Sequence, residues 1–171
     1  MSAGDALKAG QYQTPAGDMW VVIEPGNAVV RATTFRGLDD AIRRLPDHVE
    51  VIVDDPDVRI AKALTEYSDG DSHALDRVRV EQPGSAFRQA VWESMRAIKF
   101  GDVNSYAELA ESAGKPRAYR AVGTTCAENL VALFVPCHRV VAAQSIGGYG
   151  YGLDVKHALL AHEKAIDPRI K

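Results

Sequence analysis

The stretch SYAELAESAGKPRAYRAVGTTCAEN, residues 105–129, decides how the second half of this chain folds. Ser105 and Glu108 stand three apart at its start, the spacing at which a hydroxyl and a carboxylate satisfy free amides in the first turn of a helix. Gly114 supplies a stop. Pro116 has a preset φ and lacks a donor that a first turn would not use, so it predicts a second helix that opens almost at once and runs to about Asn129. Two helices with a tight turn between them form a helix-turn-helix pattern. At about 100° per residue the second helix puts Tyr119, Val122 and Cys126 on one face and Arg117, Arg120, Ala121 and Thr124 on the other. The second face is basic, with small side chains between its arginines, and suits close approach to a DNA groove. Tyr119 is expected in the core, where truncation would cost stability rather than affinity.

Upstream, residues 85–98 place Phe87, Val91, Met95 and Ile98 on a helical stripe with Ser85 as N-cap. Further back the patterning changes. Residues 19–23 and 28–35 are rich in Val, Thr and aromatics and are separated by Pro25-Gly26-Asn27, which predicts a β-hairpin. Residues 38–45 read as a helix stopped by Pro46, residues 49–53 as a short strand, and residues 58–67 as a helix ending at Ser68-Asp69-Gly70. The polar stretch 70–84, broken by Pro83-Gly84, reads as a linker. The expectation is therefore an α+β unit over residues 1–83, a small antiparallel sheet with helices, followed by a mostly helical unit over residues 84–171 that holds the helix-turn-helix.

Charge divides along the same line. Residues 1–84 carry 9 Lys/Arg and 15 Asp/Glu, whereas residues 85–171 carry 11 Lys/Arg and 8 Asp/Glu. Only the second half suits a polyanion. With 171 residues and 46% hydrophobic types, the chain can bury a core without disulfide or metal staples. No apolar run is long enough for a signal peptide or a membrane span, which points to a cytoplasmic protein with no membrane partner. The two cysteines, Cys126 and Cys137, have neither disulfide-framework nor zinc-ligand spacing, and His48 and His73 stand isolated. No metal site is expected.

Residues 130–135 are continuously apolar and read as a buried strand, which delivers Pro136-Cys137-His138-Arg139 at its end. Cys126, on the core stripe of its helix, reads as a small hydrophobe. Cys137 does not, because Pro136 and the polar pair after it place the thiol at a turn. A free thiol has a pKa of about 8.5 and is mostly protonated at neutral pH, so a nucleophilic role needs a base, and His138 is adjacent. The loop Gly147-Gly148-Tyr149-Gly150-Tyr151-Gly152 brings backbone and aromatic surface toward the same turn.

Pro136-Cys137-His138-Arg139-Val140 resembles the signature of the O6-alkylguanine-DNA alkyltransferases. Ser105-Tyr106, Arg120-Ala121-Val122-Gly123, Asn129 and the Gly-Tyr loop resemble that family in order and spacing across residues 85–164, and Thr14-Pro15-Ala16-Gly17 resembles its N-terminal domain more loosely. The resemblance implies single-turnover transfer of an alkyl group from O6 of guanine in duplex DNA to Cys137, without a cofactor and in a monomer. It implies that His138, through a water, takes the thiol proton, with Glu163 on the last helix stabilising the imidazolium. Tyr106 would contact a phosphate and the extruded guanine, Arg120 would fill the vacated stack, and Arg117, Ala121 and Thr124 would join it on the DNA. Asn129 would brace the turn before the active-site segment. Tyr149 and the amide of Gly150 would close over the base, the carbonyls of Cys137 and Val140 would accept from its exocyclic amine, and Lys156 belongs to the same substrate-binding group.

The chain departs from that pattern in a short loop between Val141 and Tyr149, in Gly150, in the bulk of Tyr119 and in the negative charge of Glu128. Other readings use part of the same residues. A protein that binds alkylated bases without transfer would not need Cys137. A thiol hydrolase would use Cys137 and His138 but turn over many times, and a helix-turn-helix regulator would explain the basic helix alone.

Overall fold

The computed structural model of the protein describes residues 5–170; residues 1–4 and Lys171, which the expected units include, lie outside the described residues. The chain opens on a strand that the pattern did not announce, β1 (Leu7–Thr14), which turns through Pro15-Ala16 into β2 (Gly17–Ile23). Its apolar content is thin, but Leu7, Ala9 and Tyr12 alternate inward and are buried. The Thr14 hydroxyl donates to Gly17 O at 2.7 Å and accepts from Ala16 N, and Gly17 takes a φ of 108° that a side chain would resist. β2 pairs antiparallel with β3 (Val30–Thr34), the expected hairpin.

After α1 (Leu38–Arg44), β4 (Val51–Val53) pairs with β1 in parallel, giving the order β3-β2-β1-β4. The expected antiparallel sheet is therefore a mixed one, because the α1 crossover returns the chain in the direction of β1. Alternation splits β2 between two faces: Val22 packs with Ala32, Ala41 and Leu45 under α1, while Met19, Val21 and Ile23 face α2 (Val58–Ser68) and the second half of the chain. Ile60, Leu64 and Tyr67 of α2, one per turn, lie in that second core.

The polar stretch 70–84 is packed rather than free. A 3-10 turn at Leu75–Arg77 buries Leu75, Val80 bridges Val30, and Arg96 donates to the carbonyls of Leu75 and Val78. One hydrophobic cluster runs without interruption from Tyr12 to Leu159 across this stretch.

Next, α3 (Ala86–Arg96) begins at Ser85, whose hydroxyl accepts from Arg88 N, and buries Val91, Trp92 and Met95. The two-residue strand β5 (Asn104–Ser105) leads into α4 (Tyr106–Ser112) through the expected capping box, with Glu108 N donating to Ser105 Oγ at 3.1 Å and Ser105 N to the Glu108 carboxylate. Pro116 does not open the following helix. Residues 116–117 form a turn, and α5 (Tyr119–Ala127) begins after Ala118.

Two further expectations are corrected here. Tyr119 is 49% exposed, so it is not a core residue. Val122 and Thr125 are the buried residues of α5, and Trp92 Nε1 donates to Thr125 O at 3.3 Å. The buried arc is therefore centred between Val122 and Thr125, which puts Tyr119 beyond its rim. Residues 131–135 are buried as expected and Leu130 partly so, but the run is not a strand: it forms a turn with an Ala132–Val135 bridge and a Leu133 φ of 74°. An apolar run reports burial, and only length and partners separate a strand from a folded-back loop.

Such a loop is tolerated in the interior because side chains and neighbouring backbone satisfy its polar groups. Asn129 Nδ2 donates to Val135 O at 2.9 Å, Gln82 Oε1 accepts from Leu130 N, and Thr33 donates through both its amide and its hydroxyl to Leu130 O and Ala132 O. β6 (Val140–Val141) then pairs in parallel with β5, and α6 (Leu153–His162) closes the fold.

Candidate active site

Cys137 begins the 3-10 turn Cys137–Arg139 directly after Pro136. Because Asn104 pairs with Val140 and Ser105 with Val141, the first residue of α4, Tyr106, stands beside the turn that carries the thiol. Between them lies a cleft of about 360 Å³. Cys137 and Asn129 line it together with Tyr106, with Gly123, Cys126 and Ala127 from α5, and with Gly148, Tyr149, Gly150 and Tyr151 from the loop before α6. Cys126 is thus a cleft wall as well as a partner of the core.

The thiol is protonated at rest. Burial pushes Cys137 up, although hydrogen bonds with Asn129 and Tyr149 and the charge of Lys156 pull the other way, and Cys137 Sγ lies 3.9 Å from the Tyr149 hydroxyl. Burial also raises Cys126, to about 12. A nucleophile here needs a base.

His138 has no exposed surface, and its Nε2 lies 2.8 Å from Glu163 Oε2. Glu163 caps the C-terminus of α6 instead of lying within it. Although its own burial works the other way, the charges and hydrogen bonds of His138 and Arg139 hold the Glu163 carboxyl well below the usual carboxylate range. The carboxylate is therefore an acceptor, which assigns the hydrogen to His138 Nε2 and leaves the Nδ1 lone pair open; Nδ1 has no hydrogen-bond partner among the described residues. Burial lowers the His138 pKa, keeping the ring neutral at rest. A neutral imidazole with an available Nδ1, steadied by a carboxylate behind it, is the arrangement of a general base.

Besides donating to Val135 O, Asn129 accepts through its Oδ1 from Gln82 Nε2 at 2.9 Å and from Val131 N at 3.2 Å. Arg120, Ala121 and Thr124 of α5 are exposed, and so is Arg117, in the turn before that helix. Glu128 pairs with Arg88, so its charge near that face is compensated. Lys156 is not in the cleft. Its ammonium is buried behind the loop and donates to Val140 O at 2.7 Å, Ile146 O at 2.6 Å and Gly148 O at 2.9 Å, and burial lowers its pKa to about 8. This ties together both ends of the short loop, and it occupies the Val140 carbonyl.

The sequence pattern matches the description "6-O-methylguanine DNA methyltransferase, DNA binding domain" over residues 86–165. A protein of Acanthamoeba polyphaga mimivirus, named as a probable methylated-DNA–protein-cysteine methyltransferase, is 40% identical over 101 residues, covering 59% of this chain and 68% of that one. The chain belongs to the methylated-DNA–protein-cysteine methyltransferase family. A methyltransferase of Mycolicibacterium paratuberculosis is 44% identical over 92 residues, covering 53% of this chain and 56% of its own length. The fold extends the likeness beyond these alignments: Mycobacterium tuberculosis OGT, solved in complex with DNA, superposes with a TM-score of 0.75 at 28% identity, covering 92% of each chain.

Several site residues escaped the sequence reading. Arg36, Asp40 and Arg44, from the first half, line the cleft. Arg44 donates to the Tyr151 hydroxyl at 2.8 Å and Arg36 to Gly150 O, so the Gly-Tyr loop is held from the sheet side as well. Arg139 forms a two-pronged pair with Glu163, and Tyr67 donates to it. Arg139 stood in the quoted signature and was legible as a polar neighbour. No local pattern marks Tyr67 or Arg44, whose partners lie 96 and 107 residues away.

Proposed function

We propose that this methyltransferase repairs DNA by moving an alkyl group from O6 of guanine in a duplex to Cys137, once per molecule. The observation that carries the reading is a thiol lining a cleft between Tyr106 and Tyr149, next to a buried imidazole whose far nitrogen is held by a carboxylate. Residues 84–171 serve as the DNA-binding and transfer unit and residues 1–83 as its support. The α4–α5 pair acts as a helix-turn-helix, with Arg117, Arg120, Ala121 and Thr124 against the groove. On this reading the protein works as a monomer, and a free thiol suits a reducing cytoplasm.

O6 lies on the major-groove edge inside the base stack, so in-line attack on its alkyl carbon requires the nucleotide to rotate out. Extrusion costs a few kcal/mol, which Arg120 offsets by entering the vacated stack. The flipped base then lies between Tyr106 and Tyr149. His138 Nδ1 takes the Cys137 proton through a water, and Glu163 stabilises the imidazolium that results. The thiolate forms its S–C bond as the C–O6 bond breaks. The amide of Gly150 meets the charge developing on O6, and the carbonyl of Cys137 accepts from the exocyclic amine. The proton returns to the guanine, and the thioether remains.

The test is the intact mass of the protein after incubation with methylated duplex DNA, followed by peptide mapping. One methyl group on Cys137 is expected. Label on Cys126, or product beyond one equivalent, overturns the mechanism.

A further inference from the structure

The Glu163 carboxylate is reached from the first half of the chain as well as from the second. Tyr67, in the last turn of α2, is 1% exposed, and its hydroxyl donates to Glu163 Oε2 at 2.6 Å. That is the oxygen to which His138 Nε2 donates at 2.8 Å. The backbone carbonyl of Tyr67 also accepts from His162 Nε2 at 2.8 Å, and the Tyr67 and His162 rings lie 4.9 Å apart. One tyrosine thus holds the end of α6 at two successive residues.

We propose that Tyr67 is a positioning residue for alkyl transfer: by donating to Oε2 it fixes the carboxylate against His138 and limits the charge that this oxygen presents to the imidazole. The inference rests on the reading of Cys137 as acceptor and His138 as its base. Arg139 shares the same oxygen at 3.1 Å and takes the other at 2.8 Å, so the carboxylate stays anchored when the tyrosine hydroxyl is removed. What changes is the charge left for His138. With one donor fewer, Oε2 pulls harder on Nε2–H, and the imidazole becomes a stronger base.

The charged and titratable groups around the imidazole are Cys137 and Arg139 on its own turn, Glu163 and Lys156 from α6 and its cap, and Tyr67 from α2 acting through the carboxylate. Arg139 and Lys156 oppose protonation of His138, and Glu163 favours it. Burial together with the Glu163 charge keeps the Tyr67 proton in place, so Tyr67 is a donor throughout the working range. It tempers the one group among the described residues that favours the imidazolium.

The experiment measures the second-order rate constant for transfer from free O6-benzylguanine between about pH 5 and about pH 9, in the full-length protein and in Tyr67→Phe, with the His138 ring titrated by NMR in both. The acid limb and the ring titration in Tyr67→Phe are expected to move together to higher pH by about half a unit or more, with the plateau rate within about three-fold. A purely structural tyrosine would lower the melting temperature and leave both unmoved, and that result overturns the proposal. Should Tyr67→Phe fail to fold, 3-fluorotyrosine at position 67 keeps the ring and is a stronger donor. It must move both to lower pH, and no movement again overturns the proposal. A wild type that leaves Cys137 unalkylated overturns the acceptor reading itself and is seen before any variant is made.

Discussion

Asn129→Ala removes the side chain that closes the buried loop ahead of Cys137. Three hydrogen bonds go with it: those to Val135 O, from Val131 N and from Gln82 Nε2. The Val135 carbonyl keeps the Cys137 amide and Gln82 Oε1 keeps Leu130 N, but the Val131 amide and Gln82 Nε2, in residues at 0% and 6% exposure, lose their partner. Leaving a buried polar group unpaired costs about 1–3 kcal/mol, so two such groups destabilise the chain by about 3 kcal/mol or more. At about 2–4 °C per kcal/mol for a chain of this size, the melting temperature should fall by roughly 10 °C. Because Cys137 N donates to Val135 O, the same loss loosens the turn that presents the thiol. Thermal unfolding followed by circular dichroism, together with transfer from O6-benzylguanine at a temperature where both proteins are folded, measures the two effects. A melting temperature within about 2 °C of wild type, with the transfer rate unchanged, would refute the reasoning, since it would mean that the loop closes without Asn129.

Arg120→Ala should slow transfer from duplex DNA severely while sparing free O6-benzylguanine, which needs no flipping; an equal loss on both substrates would place Arg120 in the active site itself. Tyr119→Ala, at a position 49% exposed, should cost less than about 1 kcal/mol in urea unfolding, and a cost near that of a buried aromatic would contradict the placement of Tyr119 outside the core. Stability should fall on acidification in two stages. His138 and Glu163 both have folded pKa values below their ordinary 6.5 and 4.5, so the unfolded chain binds more protons: the His138 contribution is complete above about pH 6.5 and is lost as pH falls through its lowered value, and the Glu163 contribution follows below about pH 4.5. Melting temperatures between about pH 8 and about pH 4 test this, and a stability that rises on acidification would reverse the sign for His138.

What the sequence by itself determined was carried by spacing over a few residues. The Ser105–Glu108 box, the Ser85 cap, the hairpin around Pro25-Gly26-Asn27, the exposure of Arg117, Arg120, Ala121 and Thr124, and the cysteine beside a histidine all depend on residues within a few positions of one another. Tertiary structure decided what depends on a partner far along the chain. It made the sheet mixed, because the direction of β4 is set by the α1 crossover and not by its own side chains. The apolar run 130–135 became a turn, because Asn129, Gln82 and Thr33 supply the hydrogen bonds that a strand would have taken from a neighbour. Tyr119 went outside, because packing against Trp92 sets the buried arc of α5 by way of Thr125. The first half was brought into the site by Tyr67 on Glu163 and Arg44 on Tyr151, contacts across 96 and 107 residues that no periodicity records. A local pattern reports which face of an element is apolar, and only the assembled core fixes what that face meets.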